Sequence, residues 1–297
     1  MSRGLALLLA VIALAAFVAP ARAQMSAMDS TKCPSCAEWL APHAPVRIFG
    51  NVYFVGTNGI TSLLITSSAG HILLDVGVPQ AAPVVLAHIR ELGFSVRDVK
   101  VILNTHDHFD HAGGIAAVQQ ATGARVMVSA PSDSVLRRGA SLPSDPQFSI
   151  ATAYPPVSNT HVIADGDTVR VGPLALVAHR TAGHTPGGTT WSWRSCDDTG
   201  TCLNFVYADS QTPVSADDFK FSRNTTYTTA LDDFAHGAAA LESLPCDVLL
   251  TPHPGASQMW ERIGTPALVD QTACKRLAAT AREALAKRIA SERRGFR

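Results

Sequence analysis

The sequence predicts an α/β fold in four layers, αββα, with two packed mixed sheets and helices on both outer faces. Three observations lead there. Short apolar or β-branched runs alternate with helical stretches, which is the pattern of sheets covered by helices. The same strand-then-helix order occurs twice along the chain. No Pro-, Gly- or Ser-rich linker separates the two halves, so they read as one domain.

Composition agrees. Of 297 residues 46% are hydrophobic and 16% charged, which excludes a disordered chain and a coiled coil. The 24 Lys+Arg balance the 24 Asp+Glu, so there is no electrostatic footprint for nucleic acid and none is expected as a partner.

Residues 1–23 read as a secretory signal peptide. Arg3 supplies the positive start, residues 5–18 form an uncharged apolar run, and Ala21-Arg22-Ala23 offers the small residues of a cleavage site after Ala23. The run is fourteen residues, short of the ~20 needed to span a bilayer, so no membrane anchor is expected after cleavage. Losing Arg3 and Arg22 leaves 22 positive against 24 negative residues, a net charge of −2. The mature chain is expected to be soluble, monomeric, and periplasmic or secreted.

Residues 24–45, with Pro34, Pro42 and Pro45 and no periodicity, read as an extended arm before the domain of residues 46–297. Strands follow at 51–56, 62–66 and 71–75, separated by Gly-containing turns. A helix over 81–92 places Val84, Val85, His88 and Ile89 on one side. Residues 100–104 read as a buried strand, Ile115–Thr122 as a short helix and Arg125–Ser129 as another strand. The second half repeats this with strands at Thr168–Val171, 175–179, 189–193 and 204–208, a helix over 229–244 and a strand at 247–251. An Ala-rich amphipathic helix over 266–292 closes the chain.

Export makes the six cysteines disulfide candidates. Six allow 15 pairings, so the sequence alone does not fix them; proximity favours Cys196 with Cys202 around the Asp-Asp-Thr-Gly turn, and Cys246 with Cys274 would then tie a strand start to the last helix. Cys33 and Cys36 could form half a zinc knuckle or a redox pair. No second Cys-x-x-Cys and no thioredoxin-like pattern accompanies them, so a structural disulfide is the simpler reading.

The chemistry concentrates in His106-Asp107-His108-Phe109-Asp110-His111, directly after the 100–104 strand. Alternation puts His106 and His108 on one side, while Asp110 and His111 turn towards a second point. Gly113-Gly114 permits a tight entry into the next helix. His184, in Thr-Ala-Gly-His-Thr-Pro-Gly-Gly, and His253, in Thr-Pro-His-Pro-Gly, also follow strands and are flanked by Gly and Pro. Five imidazoles and one carboxylate suit Zn²⁺ better than Ca²⁺ or Mg²⁺, and three protein ligands per metal leave an open position, as catalytic zinc sites do. His43, His71, His88, His161, His179 and His236 lack converging partners and read as packing or surface residues. No Gly-x-Ser-x-Gly elbow and no phosphate loop is present.

The set His106-x-His108-x-Asp110-His111, His184 and His253 resembles the metal signature of the metallo-β-lactamase superfamily, over nearly the whole of residues 46–297. Within it the chain resembles subclass B3. There is no Cys after the 204–208 strand, as subclass B1 would have, and the first triplet position is His106 rather than the Asn of subclass B2. The segment 244–257 is similar to the B3 segment carrying the last ligand, and paired Cys246 and Cys274 fit that subclass. The resemblance implies two Zn²⁺ per chain, the first held by His106, His108 and His184 and the second by Asp110, His111 and His253. It implies a β-lactamase of penicillins, cephalosporins and carbapenems, conferring antibiotic resistance by attack of a zinc-bound hydroxide that Asp110 orients as a catalytic group. Ser210 and Thr212 would meet the substrate carboxylate, and Trp39 would border the pocket. A lactonase or other ester hydrolase on the same fold is the alternative. Glyoxalase II-like and lactonase-like members use an Asp that bridges both metals near this strand end, where Asp209 sits beside Ser210. A zinc-binding protein without activity is the third reading.

Overall fold

The computed structural model describes Cys33 and residues 35–294. Residues 1–23, expected to be a signal peptide, lie outside these.

The first sheet takes its seven strands in chain order: β1 Val46–Phe49, β2 Val52–Phe54, β3 Leu63–Ile65, β4 His71–Leu74, β5 Val99–Leu103, β6 Arg125–Ser129 and β7 Thr160–Ile163. Pairing is antiparallel from β1 to β4 and parallel from β4 to β7. The second sheet runs β12-β11-β10-β9-β8, from β8 Thr168–Val171, β9 Leu174–Arg180, β10 Thr189–Cys196, β11 Cys202–Tyr207 and β12 Val248–Leu250, with only β11 and β12 parallel. Both sheets are mixed, as expected.

The helices are α1 Cys36–Trp39, α2 Ala82–Glu91, α3 Phe109–Ala112, α4 Ile115–Thr122, α5 Ala130–Arg138, α6 Ala230–Ser243, α7 Met259–Arg262 and α8 Ala273–Arg294. Strand β4 shows why the layers form. Ile72 and Leu74 face the other sheet, against a cluster that holds Leu176, Trp191, Phe205 and Leu250, while Leu73 faces outward onto Val85, Ile89 and Val118 of α2 and α4. A strand buried on both faces reads as a continuous apolar run, and His71-Ile-Leu-Leu does. On the far side Val206 and Leu249 pack against Ala238 and Leu241 of α6 and Ala278 of α8. These contacts make the αββα sandwich.

Three expectations needed correction. The 24–45 segment is not wholly extended, since α1 forms in it and is closed at its start by a Cys33–Cys36 disulfide. The last helix starts at Ala273, not 266. Pro266 opens only a short 3-10 turn capped by Thr265, and a separate Asx turn at Asp270, which accepts the Thr272 N–H and hydroxyl, begins α8. Helix α5 and strand β7 were missed. Strand β7 leaves His161 and Val162 exposed at a sheet edge, so it carries no alternating signal. The other pairs are Cys196–Cys202, which closes the β10–β11 hairpin, and Cys246–Cys274, which ties the start of β12 to α8.

Leu74 is fully buried between the sheets, whereas Val162 is 56% exposed. Chemical denaturation of Leu74→Ala is expected to lose about 2–5 kcal/mol of stability. Val162→Ala should stay within about 0.5 kcal/mol of the parent.

Candidate metal centre

Each loop bearing a candidate ligand leaves the end of a strand where the two sheets meet. His106 follows β5, His184 follows β9, and His253 follows β12. The β5 loop is fastened from both sheets: the Asn104 carbonyl accepts the Trp191 indole N–H at 3.0 Å, and the Thr105 carbonyl accepts the Thr189 N–H at 2.8 Å. Beneath it Asp75, at the end of β4, accepts from the Thr105 N–H and hydroxyl, both at 2.8 Å, and from the Tyr207 hydroxyl at 2.9 Å. Gly114 is required by close approach, since a Cβ there would lie 2.6 Å from Val76 Cγ1. Gly183, at φ +140°, lies against the Phe234 ring and brings the chain round to His184.

These loops bring all six predicted ligands together. One donor atom from each of His106, His108 and His184 lies within 4.8 Å of the other two, and the same holds for His106, Asp110 and His111. Asp110 Oδ2 lies 3.2 Å from both His111 Nε2 and His253 Nε2. The His106 ring stands 4.3 Å from His111 and 4.8 Å from His184, between the two groups.

The donors fit a metal of the zinc type. His106 Nε2 and both ring nitrogens of His111 are buried without a hydrogen-bond partner. Leaving one buried polar atom unsatisfied costs about 1–3 kcal/mol, so the inward nitrogens of His106 and His111 fit lone pairs offered to bound cations. Outer contacts set the tautomers. His106 Nδ1 lies 2.8 Å from Asp209 Oδ1, His108 Nε2 lies 3.0 Å from Asp145 Oδ2, and His184 Nδ1 donates to the Thr212 carbonyl at 2.8 Å. Each contact leaves the opposite nitrogen to face the centre, as a carboxylate or carbonyl behind a metal-binding His does.

Electrostatics follow from this packing. Burial, reinforced by His111 and His184, holds the His106 imidazole well below its ordinary range. Burial beside His108 lowers His184 to about 3, keeping it neutral and able to offer a lone pair. Burial would also lower His108, but the Asp145 carboxylate outweighs it and raises the imidazole to about 9. Burial would raise the Asp110 carboxyl, yet His111 and His253 hold it well below the usual carboxylate range.

A cavity of about 370 Å³ opens onto this cluster through His108, Asp110, His184 and His253. Trp39, Ser210 and Thr212 line it, and the Trp39 ring stands 5.8 Å from His253. The Thr212 carbonyl also holds His184. Asp209 is 1% exposed, sits behind His106 and does not line this cavity. Sequence reasoning missed Asp75 and Asp145. A carboxylate closing the apolar run His71-Ile-Leu-Leu-Asp75 was the available signal for the first; Asp145 lies in an irregular loop and gave none.

Comparisons with known proteins agree with this geometry. Residues 55–198 match the family model of the metallo-beta-lactamase superfamily. The solved Rm3 metallo-beta-lactamase is 47% identical with a TM-score of 0.86, over 88% of this chain and 99% of its own. MEM-A1, a subclass B3 metallo-beta-lactamase from a soil metagenome library, is 42% identical with a TM-score of 0.84, over 86% of this chain and 99% of its own. The chain belongs to the metallo-β-lactamase superfamily, subclass B3. Membership and the His106/His108/His184 group together support zinc binding. A hydroxyacylglutathione hydrolase of Jannaschia sp. (strain CCS1) is 34% identical over 112 residues, 38% of this chain. The chain spans about a third (34%) of the length of that curated relative.

Because Asp209 orients His106, Asp209→Ala should weaken zinc binding by roughly 10–100-fold in competition with a chromophoric chelator, with the far-ultraviolet circular dichroism unchanged.

Proposed function

We propose that this chain is an exported hydrolase that binds two zinc ions and opens the β-lactam ring of penicillins, cephalosporins and carbapenems. The observation that carries the reading is the convergence of five imidazoles and Asp110 in one cluster at the cavity, in a chain 42–47% identical to metallo-β-lactamases over their near-complete length. His106, His108 and His184 would hold one ion, and Asp110, His111 and His253 the other. Bound zinc supplies Lewis-acid polarisation of a carbonyl and makes water acidic enough to attack at neutral pH.

The chain's own residues do the rest. Asp110, held ionised at the cavity between His111 and His253, can accept a hydrogen bond from the attacking water and orient it. Ser210 and Thr212 sit on the wall where hydroxyl donors would meet the substrate carboxylate, and Trp39 would pack on the ring system. The αββα scaffold keeps these groups in register, since Asp110 sits on α3 after β5, Ser210 and Thr212 follow β11, and Trp39 ends the disulfide-closed α1. No described helix is long and apolar enough to cross a membrane, and the three disulfides fit an oxidising compartment. The disulfides support export and a periplasmic or secreted location.

A thioester or lactone hydrolase is the second reading, favoured by the similarity to hydroxyacylglutathione hydrolases. Against it stands Asp209, which is turned to the outer nitrogen of His106 and away from the cavity.

Carbapenem hydrolysis by the mature protein should vanish with a chelator and return with zinc, and metal analysis should give two zinc ions per chain. Inactivity of zinc-loaded protein on carbapenems, penicillins and cephalosporins, with turnover of a lactone or a hydroxyacylglutathione thioester in parallel assays, would replace this reading with the second. A hydrogen bond to a charged carboxylate is worth about 1.5–3 kcal/mol, so Ser210→Ala should lower kcat/KM at least about ten-fold, mainly through KM.

A further inference from the structure

The 139–159 segment between α5 and β7 contains no regular element, yet it supplies Gln147, Ile150, Ala151 and Thr152 to the cavity wall. Its far end is fastened by the Tyr154 hydroxyl, which donates to the Asp107 carbonyl at 2.6 Å, and by the Val157 N–H, which donates to the Leu136 carbonyl at 2.8 Å. Its middle depends on Asp145, which is 3% exposed. One oxygen, Oδ2, lies 3.0 Å from His108 Nε2; the other, Oδ1, accepts the Gln147 N–H at 2.8 Å and stands 3.2 Å from the same imidazole. A single carboxylate therefore serves both a metal-cluster histidine and the turn that presents the cavity wall. The next residue extends the link, because the Pro146 carbonyl accepts the Ala216 N–H at 2.9 Å, and Val214 on that strand of chain also lines the cavity.

We propose that Asp145 is a positioning residue that couples the His106/His108/His184 group to the 139–159 loop, so that metal binding and ordering of the substrate-facing wall are one linked event. The inference rests on the proposed metal role of His108 and not on which substrate is cleaved. The imidazole N–H directed at Asp145 frees Nδ1 for the metal, and a cation drawing on Nδ1 makes the Nε2–H a stronger donor. Tightening that contact holds Asp145 and, through Oδ1, the Gln147 turn. Linkage makes the effect reciprocal: whatever orders the loop strengthens metal binding by the same factor. A side-chain amide cannot replace the carboxylate, because its NH₂ end would face one of the two N–H donors. In Asp145→Asn an oxygen at the Oδ1 position keeps Gln147 but leaves His108 only the longer 3.2 Å contact, with the NH₂ turned on its N–H, and the opposite flip loses Gln147, so the link is weakened either way.

The test is amide hydrogen exchange on the full mature chain with and without zinc, joined to chelator competition for zinc affinity. In the parent, zinc should slow exchange at Gln147, Phe148 and Ala216 by a larger factor than in α2. D145N should bind one zinc roughly 10–100-fold more weakly. At saturating zinc, D145N should protect α2 as the parent does and leave the 142–150 amides fast. A parent loop whose exchange zinc does not change beyond α2 overturns the proposal without any variant, and so covers the case in which D145N fails to fold. Parent-like zinc affinity and loop protection in D145N overturn it equally. A carboxylate with a merely structural role would speed loop exchange by the same factor with and without zinc, which also excludes the coupling. None of these readouts uses β-lactam turnover, so a failed substrate assignment leaves them standing, whereas a parent chain that binds no zinc removes the metal reading itself.

Discussion

Nitrogen lone pairs crowded at the junction of two sheets are the constraint on which the rest of this molecule depends. His106 sits with its ring within 5 Å of three other imidazoles, His108, His111 and His184, and its own Nε2 has no hydrogen-bond partner. Burial and the neighbouring imidazoles disfavour protonation of His106. The cluster keeps its shape because its rings are held from behind, and its inward lone pairs suit bound cations. Asp209, Asp145 and the Thr212 carbonyl hold three of the rings, and they come from two distant segments of the chain, the 139–159 loop and the stretch 209–212 that follows β11. The active geometry is thus a property of the whole sandwich and not of the His106–His111 loop alone.

That arrangement is costly, and the costs sit in identifiable places. Asp75 is a buried carboxyl, raised by burial, with a left-handed φ of 54°. Such a backbone costs of order 1–3 kcal/mol and persists only when the surroundings determine it. Here three donors do, two on Thr105 and one on Tyr207, so the strain joins β4, the β5 loop and β11 beneath the metal cluster. The apolar layer between the sheets, with Trp191, Phe205, Leu74 and Leu103 essentially inaccessible, supplies the stability that makes this tolerable. A scaffold with a looser inter-sheet core would relax by releasing exactly those contacts that aim the histidines.

Sequence reading recovered what is local and strongly patterned. Strand Arg125–Ser129 and helix Ile115–Thr122 agree to the residue, because each is bounded by glycine or a change of period. All six predicted ligands converge, since strand ends followed by Gly or Pro leave little freedom for the side chain between them. What escaped was non-local. The Asp145–His108 contact joins residues 37 apart and the Asp209–His106 contact residues 103 apart, and no periodicity encodes either. Strand β7 escaped because an edge strand with exposed His161 and Val162 has no buried face to write into the sequence. The start of α8 was misplaced because Pro266 suits the first turn of a long helix and of a short 3-10 turn alike.

The pair Asp209-Ser210 shows how little separates related chemistries on such a scaffold. Successive side chains leaving a strand point to opposite sides. At the end of β11 that alternation sends Asp209 back to the outer nitrogen of His106 and Ser210 into the cavity wall. A one-residue slip would put a carboxylate before the metal group and a hydroxyl behind His106, changing both the charge of the centre and the orientation of its central ligand. Register is held against that slip by β11 pairing with β10 on one side and β12 on the other, including Tyr207 opposite both Trp191 and Leu250. It is held again by the Asp209 N–H, which donates to the Thr190 hydroxyl at 3.0 Å, and by Gln211, whose amide donates to the Thr181 carbonyl at 3.1 Å. The residue that faces the cavity is therefore selected by the pairing of the second sheet, and the packing of Trp191 helps to decide which side chain lines the wall.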